Sequence, residues 1–81
     1  LSMFKQGHKL LEAAIGHEPG NIEYKFLRLM IQENAPKVIG YHKNITADAN
    51  VLKSGYQSLS AVVQKAVLAY SKSSKALSGL Q

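Results

Sequence analysis

Apolar and polar residues recur along this chain at intervals of three and four, the period of a helix, and nowhere alternate over a useful strand length. In Ser2–Gly16 the residues Met3, Gly7, Leu10 and Ala14 fall on one line, with Phe4, Leu11 and Ile15 beside it. Lys5, Gln6, Lys9 and Glu12 cover the opposite face, so the pattern predicts a helix over 2–16 whose apolar line faces a core. Ser2 is a suitable N-cap and Gly16 a suitable stop. His17-Glu18-Pro19-Gly20 then reads as a tight turn, which makes the first two helices an antiparallel hairpin.

The stretch Ile22–Asn34 (IEYKFLRLMIQEN) is the densest apolar run. Asn21 can cap it by accepting a bond from a first-turn amide, and Glu23 sits near the positive end of the helix dipole. Pro36 disfavours helical geometry at Ala35, which predicts an end near Asn34. Apolar residues wrap around most of this helix, and only Lys25, Arg28 and Gln32 form a clean polar line. Such a helix is expected to touch neighbours on at least two sides. Pro36–Tyr41 reads as a short helical turn and Ile45–Gly55 as a helix with Ile45, Ala49 and Leu52 on one face. A last helix is predicted over 58–72, with Leu59, Val62, Val63, Ala66, Val67 and Tyr70 facing the core. Residues 73–81 are expected to fray. The fold class that follows is all-α, a compact bundle of four to five helices in a single domain over 1–81.

Composition narrows the chemistry. The 81 residues contain no cysteine, which excludes disulfides, thiolate metal sites and cysteine nucleophiles. No apolar run reaches the roughly 18–20 residues of a membrane span. The formal charge of +5 comes from nine lysines and one arginine against five acids. Charge carried by scattered lysines reads first as a solvated surface, because base and phosphate recognition favours the planar fork of arginine. No phosphate-binding glycine loop, zinc-protease helix or nucleophile elbow is present, so no cofactor is expected and the chain is read as non-enzymatic.

Two resemblances add to this. Gly7, Leu11, Ala14 and Pro19 stand at the small-x3-large-x2-Ala-x4-Pro spacing of the second helix of a tetratricopeptide repeat. That resemblance implies a repeat-like hairpin in the N-terminal half. The match ends there, because Arg28-Leu29 does not supply the repeat's Leu-Gly step and Pro36 interrupts its continuation. The longer run EPGNIEYKFLRLMIQENAPKVIGYHKNITAD resembles a group of small all-helical proteins from Bacteroidetes-type bacteria. The shared positions are Pro19, Asn21, Glu23, Phe26, Leu27, Arg28, Ile31, Gln32, Asn34, Pro36, Gly40, Tyr41, Asn44, Ile45 and Asp48. Lys25 and Ile39 depart from it, where Arg and Leu are usual. The resemblance implies a bacterial helical protein, cytoplasmic or exported after loss of a leader. It implies no activity. The start at Leu1 suggests a processed or truncated chain.

Four sets of residues carry candidate roles. Arg28, the one arginine, lies in the most apolar helix and needs a partner if buried; Asp48 is the natural one, with Glu12 or Glu23 as competitors. His8 and Glu12, four apart, have a spacing seen in metal sites, but two ligands are not a site and both read as surface residues. Phe4, Leu27 and Met30 are the expected uncovered apolar surface for an unknown protein partner or self-association. Lys53, Lys65, Lys72 and Lys75 are the alternative, an anionic-surface patch for lipid or nucleic acid, with nucleic acid the less expected. The tyrosines read as core or core edge, with no stacking ladder around them.

Overall fold

The computed structural model describes residues 2–36 and 40–80, except the side chains of residues 2 and 4. Among the described residues there are four α-helices and no strand: α1 (Ser2–His17), α2 (Ile22–Asn34), α3 (Ile45–Gly55) and α4 (Ala61–Ser71). Single 3-10 turns follow α3 at Tyr56–Ser58 and close the chain at Ser78–Leu80. The short helical turn expected over 36–41 has its centre at 37–39, outside the described residues, and Pro36, Gly40 and Tyr41 on either side are not helical. Gly40 takes a φ of +76°, a conformation that a side chain resists and glycine permits.

Local chemistry explains the helix ends. Asn21 Oδ1 accepts the Tyr24 amide at 3.1 Å and Ser60 Oγ accepts the Val63 amide at 3.3 Å, so α2 and α4 both begin on a side-chain cap. The turn before α2 is closed by the Asn21 amide on the Glu18 carbonyl at 3.0 Å. After α3, Gln64 Nε2 donates to the Tyr56 carbonyl at 2.9 Å and ties the 3-10 turn to α4. Gly55, the last residue of α3, is a glycine where the Ile22 side chain occupies the space a Cβ would need.

The core is built from α2, α3, α4 and the C-terminal segment. Phe26, Leu29, Ala49, Leu52, Val67 and Leu77 form one buried cluster, and Ile22, Met30, Ile45, Val63, Tyr70 and Leu80 pack around it. Leu29, Leu52, Val67 and Leu77 have no exposed surface. Each such side chain contributes on the order of 1.5–3 kcal/mol by leaving water. Helix α2 packs most extensively against α3.

Three expectations are corrected. Over its described part, 73–80, the tail does not fray: Leu77 is fully buried and Ser74 nearly so. Serines that read as a fading face are instead turn-makers, with Ser74 Oγ accepting the Leu77 amide at 3.1 Å. On α4 the buried line runs through Val67 and Ser71, while Val62 is 78% exposed and Ala66 exposed. The helix is apolar nearly all round, so its sequence does not single out one face, and the packing of the tail selects Val67 and Ser71. On α1 the inward residues are His8, Leu11, Glu12 and Ile15, whereas Met3 is 84% and Leu10 72% exposed. The charge partner of Arg28, described below, sets that rotation.

Leu77→Ala is expected to lower the unfolding free energy by about 2–5 kcal/mol, as for other fully buried leucines. Urea denaturation measures it. A loss under half a kilocalorie would mean that the tail is not part of the core.

Candidate functional site

Helix α2 presents a polar line to the inside of the molecule. Arg28, Gln32 and, half-buried, Lys25 are three and four residues apart, and the helix turns them toward α1 and α3. Its outward face carries Glu23, Leu27 and Asn34. Arg28 is 8% exposed and Asp48, in the first turn of α3, 1% exposed. Arg28 Nε donates to Asp48 Oδ2 at 2.8 Å and Nη2 to Oδ1 at 2.7 Å, a two-pronged pair. Arg28 Nη1 donates to both Glu12 oxygens at 2.9 and 3.1 Å. Of the three acids weighed as partners, Asp48 and Glu12 thus bind Arg28 together. Glu23 is exposed on the outward face.

Gln32 extends the cluster. Its Nε2 donates to Asp48 Oδ2 at 3.0 Å and to the Arg28 carbonyl at 3.2 Å, and its Oε1 accepts the Asn44 amide at 2.8 Å. One connected network therefore joins α1, α2, α3 and the approach to α3. Its hydrogen bonds to Asp48 push the Arg28 guanidinium above its ordinary value; burial opposes this and Glu12 adds to it. The arginine stays charged at any pH the fold survives. Every charge in the cluster is paired within the protein, which makes it a joint between α1, α2 and α3.

A second network closes the other end of α2. Glu33 Oε1 accepts the Tyr70 hydroxyl at 2.8 Å and the Ser74 hydroxyl at 2.6 Å, and Oε2 accepts the Ala76 amide at 3.2 Å. Asn34 Nδ2 donates to the Tyr70 hydroxyl at 3.1 Å. The Tyr70 ring meets Phe26 edge-on with centroids 5.8 Å apart. Burial, and then the Glu33 carboxylate, push the Tyr70 hydroxyl up to about 12. Glu33 went unremarked in the sequence, and its only signal there was its place next to Gln32, one step off the polar line.

An open cleft lies beside this network, with Glu33, Tyr41, His42, Ile45, Tyr70 and Lys75 in its lining. Its carboxylate is already engaged by three donors. His8 is not a surface residue: its ring stacks on Tyr41 with centroids 4.1 Å apart, and its Nε2 lies 3.9 Å from Glu12 Oε2. Among the described residues no three of His, Cys, Asp and Glu are arranged to hold a metal ion, and no helix is long and apolar enough to cross a membrane.

The remaining candidates are dispersed. Leu27 is 45% exposed, Met30 instead packs against the core, and the Phe4 side chain lies outside the described residues. The expected surface is therefore reduced to Leu27, because Met30 lies on the side of α2 that meets the buried cluster. Met3 and Leu10 on α1 are the larger exposed side chains. Lys53, Lys65, Lys72 and Lys75 are all exposed.

Asp48→Ala leaves the guanidinium buried with only its outer partner, and is expected to cost about 3–5 kcal/mol in urea denaturation. Glu12→Gln, at the more exposed end, is expected to cost about 1 kcal/mol. Equal losses would contradict the ranking by burial. For Tyr70 the folded value lies above the ordinary 10, so its contribution is present below pH 10 and is lost as pH rises toward 12. Thermal melts of the wild type against Tyr70→Phe should show a difference that shrinks through that window; a constant difference would contradict the linkage.

No protein-family model, curated protein or solved structure matches the chain. The functional reading therefore stands on geometry.

Proposed function

We propose that this chain is a non-catalytic helical interaction module, tetratricopeptide-like in its first hairpin and bacterial in origin, that engages a protein through the outward face of α1. The observation that carries the reading is the pair Met3 and Leu10, 84% and 72% exposed and seven residues apart on one side of α1. Single exposed aliphatic residues are ordinary on a surface. Two on one helix line, with Gly7 between them and Ala14 beyond, make a seam that a second helix can approach closely. Binding by shape at such a seam needs no reactive group. The internal engagement of Arg28, Asp48, Glu12 and Glu33 supports a non-catalytic role in the same direction, since these charges serve cohesion.

The test is a double variant, Met3→Lys with Leu10→Lys. Both side chains are exposed, so the thermal midpoint is expected to change little. Partners recovered by affinity capture from the host, or self-association seen by sedimentation velocity, should be lost. Unchanged capture and sedimentation in the variant would remove α1 as the contact face.

A further inference from the structure

We propose that the outward face of α4 docks on an anionic lipid bilayer. At about 100° per residue, Ala61, Val62, Lys65, Leu68, Ala69 and Lys72 share the arc opposite the buried Val67 and Ser71. All six are exposed, Val62 by 78% and Leu68 by 37%. The face is thus aliphatic with two lysines along its centre line, about 10 Å apart at seven residues' rise. The helix is covered on its Val67 and Ser71 side only, and its exposed face mixes aliphatic side chains with lysines, the pattern of a helix that lies in a membrane interface.

Charge supplies the complementarity. The sequence has no Asp or Glu after Asp48, while Lys53, Lys65, Lys72 and Lys75 all lie in that part. Asp48 itself is bound to Arg28, as is Glu12. Glu33, the acid that α2 brings to α4, meets the inner side through Tyr70 and Ser74. The positive potential of the face is therefore not opposed by an acid on its own element, and the Glu33 carboxylate lies against the inner side of the helix, opposite Lys65 and Lys72.

Lipid fits these side chains better than nucleic acid does. The only arginine is buried, so no guanidinium fork is offered to phosphates or bases. Tyr41, Tyr56 and Tyr70 are partly buried and hold contacts within the fold, so they do not form a stacking platform. Lysine stems lie along an apolar surface while their ammonium groups reach headgroups, and Val62 and Leu68 gain from the acyl boundary, which a phosphate backbone does not offer. This face is distinct from the α1 seam, so either can fail without the other.

The full chain would be mixed with phosphatidylcholine vesicles, with and without about one third phosphatidylserine, and bound protein measured by co-sedimentation. Binding is expected to the anionic vesicles only, and to weaken as salt is raised. Lysines near an anionic surface contribute about fivefold each, so Lys65→Gln with Lys72→Gln should reduce partitioning about 25-fold. The charge-matched control Lys5→Gln with Lys9→Gln, on α1, should reduce it by less than fivefold, and Val62→Ser should weaken it without moving the thermal midpoint. The proposal is overturned by binding to neither vesicle or to both equally, or by equal losses in the two lysine pairs. Displacement from the vesicles by duplex DNA or RNA bound more tightly would overturn it in favour of nucleic acid.

Discussion

A guanidinium inside the molecule must be answered by carboxylates, and the placement of α1 and α3 around α2 is the answer. Arg28 sits on the inner side of α2 with two prongs on Asp48 and a third contact on Glu12. An unpaired buried charge costs several kilocalories per mole, a large part of the stability of a domain this size. The pairing therefore constrains more than its own atoms. Asp48 sets the rotation of α3, with Ala49 and Leu52 turned inward beside it. Glu12 sets the rotation of α1, and Leu11 and Ile15 come inward with it while Met3 and Leu10 face out.

The same helix works at its other end by a different chemistry. Glu33 binds two hydroxyls and an amide, and through them holds α4 and the C-terminal turn. Hydrogen bonds alone give little net stabilisation against water. Their effect here is positional: they place Leu77 over Val67 and Leu52, where burial contributes the larger energy. Arg28 and Gln32 reach α1 and α3, Glu33 and Asn34 reach α4, and apolar Phe26 and Leu29 fill the space between. Helix α2 is a hub because polar and apolar contacts leave it in different directions.

This arrangement has a consequence for function. Glu12, Glu33 and Asp48 are engaged within the fold and the one arginine is buried, so the exposed charge is mostly lysine, with Glu18 and Glu23 exposed around the start of α2. Contact by shape, apolar area and diffuse positive charge is available on such a surface. The outward faces of α1 and α4 carry most of that apolar area, and they differ in kind: Met3 and Leu10 form an uncharged line, whereas Val62 and Leu68 flank Lys65 and Lys72.

Sequence alone determined that the chain is helical, where α2 starts and stops, and that Arg28, if buried, would need an acid, with Asp48 the natural one and Glu12 or Glu23 in competition. Those follow from neighbours along the chain: Asn21 and Pro36 act within one turn, and period three-four needs no partner to be recognised. Tertiary structure decided which face of each helix is inside. On α1 the apolar line was the clearest signal, yet the outcome depended on a charge sixteen residues away in α2. On α4, Val62 and Val67 were equivalent in sequence until the tail packed on one of them. The tail itself reads as polar although Ser71 and Ser74 are buried, and Glu33, the residue that holds it, lies about forty positions earlier. Helix formation is local; facing is a property of what packs, and for this protein the decisive partners are charges and hydroxyls that hydrophobic periodicity does not record.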